Sequence, residues 1–229
     1  MPLPTQCLPL TLPLVLALFG CVSTEQQAKV AMDESLQGQR ASYLDFQTYE
    51  GGVTCGQYLI ATVWGGIENR DFVVVGTEAI PRPSKLDIAV YCSEDSLASL
   101  NKALDIDYLA QQETIDAIIA DFNALEGPLL RYEADNGHFP STDQGLKALV
   151  KPSDTSNNPR NFPEGGYISG IPSDPWTNAY DYQCDPFAGV RVHYNLQSLG
   201  EDGKAGGQGI NADIKSSYRR YFQHIKDTM

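Results

Sequence analysis

The sequence predicts an α+β protein in which a long helix packs on a small antiparallel sheet, preceded by a small disulfide-linked unit. Within 113–132, apolar residues recur at spacings of three and four, which places them on one face of a helix. The segments 180–182 and 190–196 are short and rich in aromatic and β-branched residues, with an Asp-Pro turn signal between them. In the first half of the chain, Cys55 and Cys92 lie among short apolar runs that favour a separate small unit.

Composition and charge exclude one class of partner. The chain has 229 residues, of which 42% are hydrophobic and 20% charged, as in an ordinary protein with a packed core. Asp and Glu outnumber Lys and Arg by 29 to 16, which gives a formal net charge of −13. Nucleic-acid phosphates require a basic surface, so no nucleic-acid partner is expected. An acidic surface instead attracts cations.

The N-terminus predicts export. The apolar stretch 8–19 is interrupted by two prolines and is too short for a comfortable membrane span. It ends in Gly20-Cys21, which resembles the lipobox of bacterial lipoproteins, where the cysteine becomes the lipidated first residue. Residues 1–20 contain no Lys or Arg, which departs from the usual signal peptide. A plain secretory signal with an incidental cysteine is therefore the alternative.

Export implies a location in the cell envelope. The lipid on Cys21 would anchor the chain to a membrane facing the periplasm, or at the cell surface. The outer membrane is favoured, because Ser23 is not the Asp that commonly retains lipoproteins at the inner membrane.

Five segments are expected along the chain: a signal peptide (1–20), a polar tether (21–41), a disulfide-linked unit (42–104), a helix-and-sheet domain (105–214) and a basic tail (215–229). In an oxidising compartment two of the three remaining cysteines should pair. Cys55 and Cys92 share one segment and are the predicted pair, which leaves Cys184 over. The tail predicts an amphipathic helix that either contacts anionic headgroups or packs on its own domain.

The disulfide-linked unit has a resemblance of its own. The pattern "TCGQYL", followed by "VYCSEDSLASLNKAL", resembles the small periplasmic acid-stress chaperones of the HdeA type. In that family one disulfide joins an early helix to a later segment of cysteine, acidic residues and helix. An unrelated disulfide-linked unit is the alternative.

An ordered set of short motifs runs through the C-terminal half. In chain order they are Tyr132, Asp135-Asn136-Gly137, Pro140, Gln144-Gly145-Leu146, Ala148-Leu149, Ile171-Pro172, Asp174-Pro175-Trp176, Asn178, Tyr180, Ser198-Leu199-Gly200, Asp202-Gly203, Gly206-Gly207, Gly209 and Ala212-Asp213-Ile214. Over about residues 115–214 this order resembles the globular domain of type II secretion major pseudopilins. The resemblance implies a long helix packed on a small antiparallel sheet with a calcium loop.

The glycine-rich stretch 200–209 is the candidate site. It has neither the Lys-Ser/Thr pair of a phosphate loop nor the alternating acids of an EF-hand. The resemblance implies Ca²⁺ bound by the side chains of Asp202 and Asp213 and the carbonyl of Leu199. Asn211 stands where many members have an acid, so it would be a neutral ligand or none. A solvated loop without metal is the alternative.

The resemblance implies a non-enzymatic lipoprotein associated with type II protein secretion or a related pilus machine. Its partners would be secretion-machine or pilus proteins, and the membrane through the lipid anchor. The anchoring hydrophobic helix of pseudopilins is not matched, so assembly as an ordinary pilus subunit is not expected. The alternative is a periplasmic or surface binding or chaperone-like lipoprotein that uses the domain as a calcium-stabilised scaffold. The three histidines, His138, His193 and His224, form no recognisable catalytic pattern.

Overall fold

The structure is a computed structural model that describes residues 23–152, 162–184 and 193–229. Its main elements in chain order are α1 (Thr24–Ser35), β1 (Ala41–Tyr49), β2 (Val53–Ala61), β3 (Ile67–Val75), β4 (Glu78–Ile80), α2 (Lys85–Tyr91), α3 (Ser96–Leu104), α4 (Gln112–Asn136), β5 (Asp181–Gln183), β6 (Asn195–Ser198), β7 (Ile214–Lys215) and α5 (Arg219–Thr228). The helices of the described residues are all too short or too polar to span a bilayer.

A four-stranded antiparallel sheet, in the order β1-β2-β3-β4, forms the N-terminal unit. Because side chains alternate between the faces of a strand, β2 and β3 each contribute to two apolar layers. Tyr58 and Phe72 belong to the layer that contacts α1, whereas Val53 and Val73 belong to the main core. The sheet is therefore covered on both sides.

Helix α1 corrects the prediction of a tether at 21–41. Ser23 caps this helix by accepting a hydrogen bond from the amide of Gln26 at 3.2 Å. Ala28, Ala31 and Met32 are buried against the sheet. The segment is polar on average because its buried face consists of two alanines and one methionine, so its composition concealed a packed helix.

The predicted disulfide is confirmed. Cys55 in β2 is bonded to Cys92 at the end of α2, with 6.0 Å between their Cα atoms. The bond ties α2 to the face of the sheet opposite α1. The early helix implied by the HdeA-type resemblance is wrong, because Cys55 lies in a central strand; its run of β-branched and aromatic neighbours pairs with strands on both sides.

Helix α4 and the sheet β5-β6-β7 confirm the predicted α+β class. The apolar face of α4 is buried, and its members are Ile115, Ile118, Phe122, Leu125, Leu129 and Tyr132. Phe122 packs on Tyr180, with ring centroids 5.3 Å apart, and the Tyr180 hydroxyl donates to Asp121 at 2.7 Å. Gly137 ends the helix in the left-handed conformation, at φ 75°. Strand β5 lies one residue beyond the start of the predicted 180–182, and 190–192 of the second predicted strand lie outside the described residues.

Helix α5 is part of the core, although residues 215–229 were predicted as a basic tail. Tyr221, Phe222, His224 and Ile225 are buried in the same cluster as the α4 face. Of the two alternatives for this segment, the structure shows packing on the protein itself. The basic residues stay on the outer side of the helix, where Arg219 pairs with Glu126 at 2.8 Å.

Candidate metal centre

The glycine-rich loop, defined as residues 199–213, connects β6 to β7. Ser198 and Ile214 are paired residues of these antiparallel strands, so the chain enters and leaves the loop at one place. Leu199 and Asp213 are the next residues outward from that pair. Strand pairing thus brings together two of the four predicted ligand residues.

The two carboxylates among the predicted ligands, Asp202 and Asp213, each accept a hydrogen bond from a loop amide. Asp202 accepts from the backbone N–H of Lys204 at 3.1 Å, and Asp213 accepts through Oδ2 from the N–H of Gly206 at 3.0 Å. The other oxygen of Asp213, Oδ1, is buried and has no hydrogen-bond partner among the described residues. A buried carboxylate oxygen without a partner costs on the order of 1–3 kcal/mol or more. A bound cation would remove that cost.

Glycines allow the loop backbone to close around Asn211. Gly200 and Gly207 have φ values of 70° and 107°, and a Cβ on either would lie 2.5 Å and 2.3 Å from backbone atoms of Asn211. No other residue type fits at these positions. The structure therefore places the backbone of Asn211, the third predicted ligand residue, inside the loop beside Gly200.

A turn over residues 174–178 holds the loop from outside. The Nδ2 group of Asn178 donates to the carbonyls of Gly200 and Glu201 at 3.0 and 3.2 Å. Asp174 is buried and accepts from the hydroxyl of Ser198 at 2.8 Å. Sequence reasoning assigned neither residue to the site, although both belong to the ordered motif set.

The donor set consists of hard oxygen atoms. The predicted ligands comprise two carboxylates, one side-chain amide and a backbone carbonyl, and this is the donor type that Ca²⁺ prefers. In the part of the chain that the structure describes, no group of three or more His, Cys, Asp or Glu residues could hold a metal ion, so a site in this loop would need amide and carbonyl oxygens beside its two carboxylates. With an unpartnered carboxylate oxygen and a glycine-closed backbone, the residues present fit a Ca²⁺ site.

The other predicted site residues differ in outcome. Cys21, the expected lipidation site, lies outside the described residues. Cys184 is buried and forms no disulfide among the described residues. His224 is buried beside the ring of Tyr91, and burial lowers its pKa.

Comparison with known proteins places the C-terminal part in one family. Residues 106–217 match the family described as type II secretion system (T2SS), protein G. The type II secretion system core protein G of Vibrio cholerae is 47% identical over 97 residues, which are 42% of this chain and 63% of that protein. The core protein G of Pseudomonas aeruginosa is 40% identical over 103 residues, which are 45% of this chain and 70% of that protein.

A solved structure is also similar. The major pseudopilin from the type 2 secretion system of enterohaemorrhagic Escherichia coli is 32% identical and matches with a TM-score of 0.40, over 46% of this chain and 88% of that one. This chain spans 63% of the length of the Vibrio relative, so the match concerns a domain and not the whole of both proteins. Through residues 106–217, the chain belongs to the type II secretion system protein G family.

Proposed function

We propose that this chain is a non-enzymatic component of type II protein secretion that presents a protein G domain within the cell envelope. The observation that carries the proposal is the family match over residues 106–217, with relatives that are named core proteins of the secretion system. The partners would be other proteins of that system. The domain would act through its surface, as a docking element.

The glycine-rich loop is proposed as a Ca²⁺ site. The ligands would be the side chains of Asp202 and Asp213, the carbonyl of Leu199 and the amide oxygen of Asn211. The unpartnered Oδ1 of Asp213 supports this assignment. When bound, the ion supplies positive charge to two carboxylates and joins both ends of the loop, so it would stabilise the β6–β7 connection.

The N-terminal unit distinguishes the proposed role from that of a repeating pilus subunit. Helix α4 begins at Gln112, and the chain before it turns at Asp105, which has a left-handed φ of 55°. The unit 24–104 packs on the protein G domain through a shared core. We infer that this unit presents the domain individually to the secretion machine. If the chain works with a related pilus machine instead, the unit would present the domain to that machine in the same way.

The anchor is proposed to be a lipid on Cys21. Helix α1 begins at Thr24, three residues after this cysteine, and is packed on the N-terminal sheet. A lipid on Cys21 would therefore hold the α1 end of the unit close to the membrane surface without a long linker. The outer membrane is the favoured membrane.

The test is a secretion assay in the host of this chain. Deletion is expected to lower the fraction of a type II-secreted enzyme found in the medium, and the wild-type chain to restore it. The double variant Asp202→Asn, Asp213→Asn should restore it poorly, because it removes the proposed metal ligands. Glu34→Gln, Glu94→Gln is the matched control; it removes two exposed charges outside the loop and should restore secretion fully. Unchanged secretion after deletion would contradict the proposal and favour a binding lipoprotein with another role.

A further inference from the structure

The turn over residues 174–178 is built around one buried carboxylate. Asp174 Oδ1 accepts from the backbone N–H groups of Trp176 and Asn178 at 3.1 and 2.8 Å. The backbone N–H of Asp174 donates to the carbonyl of Asn178 at 2.9 Å. Thr177 has a left-handed φ of 72°. These bonds fix the backbone of Asn178, so its side chain leaves the turn from a defined place.

The same carboxylate connects this turn to the start of the glycine-rich loop. Asp174 Oδ2 accepts from the Ser198 hydroxyl, and the N–H of Gly200 donates to the same Ser198 oxygen at 3.3 Å. The turn and the loop entrance therefore form one hydrogen-bonded assembly in which Asp174 and Ser198 are both buried.

The amide of Asn178 holds two consecutive loop carbonyls. Its Nδ2 group donates both hydrogens, one to Gly200 and one to Glu201. A Cβ on Gly203 would lie 3.3 Å from Asn178 Oδ1, so the amide also lies close to the residue that follows Asp202. Asn178 thus lies beside the loop both before and after Asp202, a proposed ligand. The two carbonyls to which it donates belong to residues that are not proposed ligands.

We propose that Asn178 is a positioning residue of the calcium site: its amide fixes the Gly200 and Glu201 carbonyls, and thereby orients the Leu199 carbonyl and the Asp202 side chain toward the ion. This inference rests on the proposed calcium function of the loop. Asn178 does not bind the ion in this assignment, because the group that faces the loop carbonyls is a hydrogen-bond donor.

The substitution Asn178→Asp separates positioning from charge. A carboxylate at this place has no hydrogen to donate, so oxygen would face the Gly200 and Glu201 carbonyls at about the present 3.0 and 3.2 Å and repel them. The added negative charge near the loop would by itself raise the affinity for Ca²⁺. If Asn178 acts by positioning, the affinity falls; if only local charge matters, it rises.

The experiment is calorimetric titration of the purified chain with CaCl₂ after removal of metal by chelation. The wild-type chain is expected to bind, and Asn178→Asp to bind about 10- to 100-fold more weakly, the usual cost of losing a residue that orients metal ligands. Asn178→Ala, which removes the bonds without repulsion, should bind more weakly than wild type as well. Asn195→Asp is the matched control: it adds the same charge to an exposed residue of β6 and should leave the affinity unchanged.

Thermal unfolding in chelator accompanies each titration. A purely structural residue would lower stability without a selective loss of Ca²⁺ affinity, so unchanged affinity in a folded Asn178→Ala variant overturns the inference. Equal or tighter binding by Asn178→Asp overturns it too, while leaving the calcium site in place. A wild-type chain that does not bind Ca²⁺ overturns the proposed site and this inference together. If Asn178→Asp does not fold, the Asn178→Ala titration decides alone.

Discussion

His224 lies where α5 meets the N-terminal unit. Its ring centroid is 5.0 Å from that of Tyr91 in α2, and its Nε2 atom lies 3.4 Å from the Ser96 hydroxyl in α3. A Cβ on Gly51, in the β1–β2 turn, would lie 3.0 Å from the ring. Burial is the largest cause of the lowered pKa of His224, and Asp227 on the same helix opposes it. The neutral ring is the form that fits this junction.

Acidification is expected to weaken the fold through His224. Because its pKa is lower in the folded chain than the ordinary 6.5, the unfolded chain takes up the proton first. Its contribution to stability is complete above 6.5 and is lost as the pH falls from there toward the folded pKa. Urea unfolding of the chelated wild-type chain from about pH 7.5 to about pH 5.5 should show the decline.

Two variants isolate the source of this pH dependence. His224→Gln should flatten the decline in the free energy of unfolding, because the titrating group is gone. His193→Gln, at an exposed histidine, should keep it. If the free energy of unfolding of the wild type and of His224→Gln depends on pH in the same way, protonation of His224 does not cause the decline.

At the scale of elements, α5 is held on two sides. Asp87 in α2 is buried and accepts from the Tyr221 hydroxyl at 2.9 Å and from Arg220 at 2.6 Å. The same carboxylate caps its own helix, because it accepts from the backbone N–H of Ser84 at 2.7 Å. On the other side, Lys226 pairs with Asp116 of α4 at 2.7 Å. Helix α5 therefore connects the N-terminal unit to the protein G domain.

The Cys55–Cys92 disulfide is expected to stabilise the N-terminal unit. It joins residues 37 positions apart, and a loop of this size contributes about 3–4 kcal/mol in the chain-entropy account. The variant Cys55→Ser, Cys92→Ser should lower the free energy of unfolding in urea by about that amount. Added reductant should lower the stability of the wild type to a similar level and leave the variant unchanged. If added reductant does not change the free energy of unfolding of the wild type, this contribution of the disulfide is contradicted.

Sequence reasoning succeeded where the pattern was long or chemically specific. The apolar face of α4 extends over several turns, and few cysteines compete with the Cys55–Cys92 pair. It failed at α1, where a narrow face of small residues is buried beneath a polar surface. At 215–229 it predicted an amphipathic helix but did not decide between anionic headgroups and the protein's own domain, onto which the aromatic side packs. In both cases tertiary packing decides the outcome, and local composition does not reveal it.

The candidate metal site shows the same division. Asp202, Asn211 and Asp213 follow from an ordered motif, and glycines mark the tight backbone. The hydrogen bonds from Asn178 and Asp174 could not be predicted, because the turn lies more than twenty residues earlier in the chain and meets the loop only in the fold.

In the whole molecule, the added N-terminal unit and the protein G domain share one core. Val53, Val90 and Leu100 of the unit belong to the same buried cluster as the α4 face and α5. The glycine-rich loop adds a further contact, because the N–H of Gly209 donates to the carbonyl of Asp105 at 2.7 Å, next to the end of α3. A change in the loop conformation would therefore alter a contact between the two parts. For this reason, calcium bound in the loop should stabilise both parts of the molecule.

Thermal unfolding of a soluble chain that starts at Ser23, with excess Ca²⁺ and then with chelator, tests the account most directly. An ion that binds only the folded state stabilises it by about 2.7 kcal/mol at a hundredfold excess over Kd. The account predicts a clear fall in Tm on chelation for the wild type and for the Glu34→Gln, Glu94→Gln control. It predicts no fall for the double variant Asp202→Asn, Asp213→Asn. A wild-type Tm that does not change on chelation, or a double variant that responds like the wild type, would contradict a calcium site in this loop.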